Sequence, residues 1–187
     1  MTAIPELNNS YKPSYKEAIS NYTATMRYET LTAQLKAMPK IPLSDCTALL
    51  DHYGQSRSEV LGYLLSFNEH LGTTGMEDLL PFFMLLVLGY EREGYGRLQP
   101  IRATILDASK ATKDQVEYLL SGDPTDHSRT AELWLKDSKD QPLLAYAFNE
   151  ILKQQDMRTE AGIQLYIAVI SLIEIFRKAA EETVGGS

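Results

Sequence analysis

Apolar side chains recur once per helical turn along most of this 187-residue chain, and this spacing restricts the fold more than any other feature. In the segment that begins at Thr159, for example, Ile163, Tyr166 and Ile170 follow one another at intervals of three or four residues. Side chains at these intervals lie on one face of an α-helix, whereas a half-buried strand alternates apolar and polar residues. The sequence therefore predicts a largely helical protein.

Signals for helix starts and stops separate these stripes. Ser14 and Glu17 have the spacing of a capping box, in which the serine accepts an early backbone N–H and the glutamate reaches back to the N–H of the cap. Two further pairs have the same spacing: Thr74 with Glu77, and Thr112 with Gln115. Glycines and prolines stand where the stripes end, as expected for residues that stop helices. We count roughly eight helices joined by short links.

Two segments are apolar on more than one face, namely Leu79–Leu88 and the helix that starts at Thr159. Such helices are typical of a buried centre, around which amphipathic helices pack. We predict an all-α fold, a single-domain helical bundle with one or two central apolar helices. Residues 1–13 are interpreted as a flexible N-terminal arm, 14–182 as the helical domain and 183–187 as a flexible tail.

Two stretches leave alternatives open. Pro81 lies well inside a helix that starts at Thr74, where proline removes a hydrogen bond, but lies in the first turn of a helix that starts at Asp78. We prefer the start at Asp78. In residues 97–121, Ile101 and Ile105 flank Ala103 in an alternation that also suits a strand. We interpret this region as two short helices.

Charge and cysteine content indicate the kind of partner and the cellular compartment. The formal net charge is −7, without a basic segment that would neutralise phosphates, which argues against nucleic acid as a partner. Cys46 is the single cysteine, so no internal disulfide forms. With no apparent secretory signal, we expect an intracellular, cytoplasmic protein. The apolar run Leu79–Leu88 is shorter than the about 20 residues that span a bilayer, so we expect no membrane span.

The chain lacks the common motifs of metal binding and catalysis. His52, His70 and His127 are isolated, and no pair has zinc-ligand spacing. Cys46 lies on an apolar stripe, where a thiol usually packs as a small hydrophobe. The acidic loop 123–127 lacks the calcium-loop pattern and suits an ordinary turn. We therefore expect no cofactor, no metal ion and no catalytic residues visible as a motif.

The segment that follows the apolar run is the preferred contact site. It combines tyrosines, arginines and glycines, and its candidate partner-binding residues are Tyr90, Arg92, Tyr95 and Arg97. Tyrosine and arginine are concentrated in binding hot spots. The alternative is structural, with Gly94 as a helix stop, the charges in solvent and the tyrosines on the core.

These features favour a non-enzymatic protein–protein interaction protein, such as an adaptor, an inhibitor or an immunity-type protein. Its acidic surface would attract a partner with a basic surface. One alternative is a self-assembling structural subunit of viral or phage type. Another is a helical enzyme whose carboxylates meet His70 in three dimensions. The candidate carboxylates are those of Glu69, Glu77, Asp78, Glu91 and Glu93.

Overall fold

The computed structural model describes residues 33, 46, 50–51, 58–96, 98–121, 141–152 and 159–185. Five α-helices lie in these ranges: α1 (Glu59–Leu65), α2 (Asn68–Tyr90), α3 (Arg102–Ser121), α4 (Gln141–Glu150) and α5 (Glu160–Gly185). A π-helical turn, Glu91–Tyr95, follows α2 directly. The described residues contain no strand, which confirms the all-α prediction. The same apolar spacing in the sequence also predicts helices at 14–38, 44–53 and 128–137, which lie largely or wholly outside the described residues.

Helix α5 is the centre of the core. Every residue from Leu165 to Ile173 is buried, so every face of these turns is covered. The helix packs against α2, α3 and α4. Its start agrees with the sequence: the Thr159 hydroxyl accepts the Gly162 N–H at 3.1 Å, as a cap should.

Helix α2 is the second central element, buried almost continuously from Phe82 to Tyr90. Gly72 interrupts its first turns with φ 60° and ψ −167°, a conformation that is essentially restricted to glycine. The regular part of the helix begins after this kink, so Pro81 lies inside it. The preferred start at Asp78 was therefore wrong. The lost backbone bond at Pro81 is tolerated in a helix whose packing supplies most of its stability.

Helix α3 is continuous over Arg102–Ser121, so the prediction of two short helices was wrong. Thr112, expected to cap the second one, is buried, and its hydroxyl donates to the Ala108 carbonyl at 3.0 Å. A threonine bonded four residues back is compatible with a helix interior. The Thr104 hydroxyl donates to the Glu182 carboxylate at 2.9 Å and links α3 to α5.

The remaining boundaries largely follow the sequence. Ser58 caps α1 by accepting the Leu61 N–H at 3.3 Å. In α4, the predicted inward residues Leu144 and Ala147 are buried. Helix α5 continues to Gly185, past the predicted start of the tail at 183. The Thr183 hydroxyl donates to the Ala179 carbonyl at 2.8 Å and satisfies part of this last turn.

Buried tyrosine hydroxyls make the fold sensitive to alkali. Burial raises the pKa of Tyr166 above its usual 10.0. Burial also raises the pKa of Tyr63, and neighbouring Ser109 and Ser171 offset part of this effect. The folded state thus favours the neutral phenols. This contribution to stability is complete below the unfolded-state pKa and is lost as the pH rises through the raised folded-state values.

We expect the free energy of unfolding to fall as the pH rises above about 10, and Tyr166→Phe to reduce that fall. Near neutral pH the same substitution should change stability little, because the Tyr166 hydroxyl meets no hydrogen-bond partner among the described residues. Urea unfolding as a function of pH measures both effects. Tyr118→Phe removes an exposed hydroxyl and is the control. An equal alkaline loss in Tyr166→Phe and in the wild type would refute this account.

Candidate functional site

The π-helical turn Glu91–Tyr95 follows α2 and contains two of the four predicted contact residues, Arg92 and Tyr95. Gly94 has φ 92° and Gly96 has φ 66°, both in the region that side chains other than glycine rarely adopt. These two glycines let the chain leave the helix sharply at this point. A glycine with positive φ just after the last turn is a common way for a helix to end.

An aromatic stack holds the turn against the core. The Tyr90 ring lies 5.5 Å from the Phe176 ring of α5, at an interplanar angle of 34°. Tyr90 also contacts Tyr95 edge-on, with ring centroids 5.7 Å apart. Such pairs add to the stability gained from burial alone. The backbone of the turn is therefore positioned by the centre of the protein.

The four predicted contact residues have different surroundings. Arg92 is exposed and Tyr95 is half-buried. Tyr90 has only 1% of its surface exposed, so its ring supports the turn from beneath and offers a partner almost no surface. Arg97 lies outside the described residues. The surface part of the site therefore consists of Arg92 and the outer side of Tyr95.

The charges in the turn are mixed. Glu91 and Arg92 are exposed and Glu93 is half-buried. An arginine between two carboxylates presents a planar, five-donor group within a locally acidic surface. This arrangement can bind a partner carboxylate through Arg92 while Glu91 meets a partner cation. It suits recognition of a polar protein surface.

Helix α5 carries an ion-pair network that was not predicted from the sequence. Arg177 donates through Nε to Glu174 at 2.9 Å and through Nη1 to Glu181 at 2.7 Å, and its Nη2 also contacts Glu174. Lys178 lies 4.0 Å from the Glu174 carboxylate. The spacing of three and four residues along one helix is a signal that could have revealed this network. Because Arg177 follows Phe176, the network helps to fix the segment that carries the aromatic stack.

The carboxylates proposed for an enzyme site are distributed along α2 and the turn. Glu69, Glu77, Asp78 and Glu91 are exposed. The Nδ1 atom of His70 lies 3.4 Å from the carboxylate of Glu160 in α5, and the two side chains are 46% and 77% exposed. This geometry gives the enzyme alternative no support, since such chemistry would need converging carboxylates in a shielded pocket.

Like these carboxylates, the residues that could bind a metal ion do not form a cluster in the described part of the chain. No group of three or more histidine, cysteine, aspartate or glutamate side chains there could hold a metal ion. Cys46 is fully buried, as its position on an apolar stripe predicts. His52, His127 and the acidic loop 123–127 lie outside the described residues.

One helix among the described residues is long and apolar enough to span a membrane by length and composition. It comprises α2 and the turn, Asn68–Tyr95. Half of its most apolar window, 50%, is buried inside the protein. The core helix of a water-soluble protein passes the same test, so this finding agrees with the central position of α2.

Comparisons with known proteins identify no relative. No family model matches the chain, and neither a curated protein nor a solved structure matches it.

Proposed function

We propose that this chain is a non-enzymatic protein–protein interaction protein that binds its partner through the turn Glu91–Tyr95. The observation that carries the proposal is the packing of Tyr90 against Phe176 and Tyr95, which positions the backbone of the turn that carries the exposed Arg92. A contact surface that is already ordered loses little entropy on binding. Arg92 and Tyr95 are also the residue types that dominate binding hot spots.

The chemistry of the turn indicates the kind of partner. The chain carries a net charge of −7, and Glu91 is exposed beside Arg92. A partner with a basic surface would be attracted over a distance and would encounter this protein faster. Within that surface, a carboxylate of the partner would receive Arg92. The proposed setting is the cytoplasm.

The double substitution Arg92→Ala/Tyr95→Ala should weaken partner binding at least about thirtyfold, because truncating the two hot-spot residues together costs at least about 2 kcal/mol. The partner is first captured from the native host with the wild-type chain and identified by mass, and its affinity is then measured by calorimetry. Arg92→Ala alone should lose about tenfold while the melting temperature stays unchanged, since its side chain is exposed.

The matched control is Arg102→Ala/Tyr118→Ala, which removes the same residue types from exposed positions on α3. This variant should bind like the wild type. If both double variants bind equally well, the partner does not contact the turn and the assigned site is wrong.

A further inference from the structure

Helix α3 presents an outer face that differs from the turn in chemistry. Its buried face includes Ile105, Ala108 and Val116. The opposite face carries large apolar side chains near both ends: Leu106 is 58% exposed and Leu120 is 39% exposed. These two leucines are separated by about four helical turns and point to the same side of the helix.

Between the leucines, charged residues are arranged in two blocks. Lys110 and Lys113 come first, and Asp114 and Glu117 follow; all four side chains are exposed. Among the described residues, none of the four takes part in an ion pair within 4.0 Å. A lysine that precedes its acid along a helix is in the weaker orientation for pairing within that helix. These charges are therefore available for pairing between molecules.

We propose that this outer face of α3 binds the same face of a second copy of the chain, in an antiparallel arrangement with two-fold symmetry. In a two-fold antiparallel pair, a residue faces the one equally distant from the midpoint on the other copy. With the midpoint between Lys113 and Asp114, Lys110 and Glu117 each lie about 5 Å from it along the axis, on opposite sides. Lys110 thus faces Glu117 of the second copy.

The same alignment brings the apolar ends together. Leu106 and Leu120 lie at nearly equal distances on either side of that midpoint, so Leu106 of one copy reaches Leu120 of the other. A parallel alignment would instead place lysines against lysines, which is unfavourable. Antiparallel pairing therefore places opposite charges of the two copies together and also covers the exposed leucines.

Local charge favours a second copy over other occupants. The whole chain is acidic, yet this face balances three cations against three anions: Arg102, Lys110 and Lys113 against Asp107, Asp114 and Glu117. A strongly basic or strongly acidic partner would gain little here, whereas a surface with the opposite order of blocks fits. The second copy supplies that order by symmetry. A contact made by one helix face is small, so we expect a weak dimer that exchanges with the monomer.

The proposed dimer uses the outer face of α3, whereas the partner is proposed to bind Arg92 and Tyr95. Either proposal can therefore fail while the other stands. Sedimentation equilibrium of the full chain up to about 100 µM should show a monomer–dimer equilibrium. Lys110→Glu/Lys113→Glu and Asp114→Lys/Glu117→Lys should each weaken self-association at least about tenfold. An equimolar mixture of the two variants should restore the dimer as a mixed species.

The control Glu69→Lys/Glu77→Lys changes the net charge as much as the second variant does, but at exposed positions on α2. It should dimerise like the wild type. Circular dichroism confirms that each variant folds, which is expected because all the substituted side chains are exposed. A wild-type chain that stays monomeric, charge variants that still dimerise, or a mixture that stays monomeric would overturn the proposal.

Discussion

Phe176→Ala should lower the free energy of unfolding by about 3–5 kcal/mol, the usual cost of removing a buried aromatic ring. The side chain is almost completely buried in the middle of α5. Its ring contacts Tyr90 at 5.5 Å and Phe83 at 6.0 Å, so its loss leaves a cavity between the two central helices. We expect α2 and α5 to pack less tightly, and the turn Glu91–Tyr95 to lose the support that Phe176 gives through Tyr90.

Urea unfolding followed by circular dichroism measures this effect. Leu65→Ala is the control, since it removes a large apolar side chain that is 49% exposed. Its effect should stay within about 0.5 kcal/mol. Equal losses in the two variants would mean that Phe176 does not lie in the core.

Gly72→Ala should lower the free energy of unfolding by about 1–3 kcal/mol, because the φ of 60° and ψ of −167° at this position are strained for any other residue. No atom lies within 4 Å of the position of the added Cβ. The cost therefore comes from the backbone and not from a steric clash. A relaxed kink would shift the regular part of α2 relative to α5.

Gly62→Ala makes the same chemical change but should raise the free energy of unfolding. Gly62 lies inside α1, is exposed and also leaves open space around an added Cβ. Alanine is favoured over glycine in a helix interior by about 0.5–1 kcal/mol, so this variant should be more stable. Thermal unfolding of both variants tests the pair. If Gly72→Ala were as stable as the wild type, or more stable, the kinked backbone conformation at Gly72 would be refuted.

The sequence predicted the central helices because their signal is strong. Continuous apolar residues in Leu79–Leu88 and the turn-by-turn spacing after Thr159 both require burial. The cap at Thr159 followed from a side chain that can accept an early N–H group. Local chemistry was sufficient at these positions.

Errors arose where tertiary contacts decided the outcome. Thr112 resembles a cap, yet in the buried face of α3 its hydroxyl bonds back to Ala108. Pro81 resembles a first-turn residue, yet packing on α5 keeps the helix intact around it. The packing of Tyr90 against Phe176 likewise depends on a residue distant in the sequence, which a local pattern does not reveal. Arg92 needed no such partner, because a charged side chain beside a glycine turn remains at the surface.

The central proposal, that the partner binds the turn after α2, is tested most directly by site-specific photo-crosslinking in the native host. A photoreactive amino acid replaces Arg92 in one version of the full chain and Arg102 of α3 in another; both positions are exposed. We predict one discrete protein adduct from position 92 and none of the same mass from position 102. The same adducts from both positions, or an adduct from position 102 alone, would contradict the proposal.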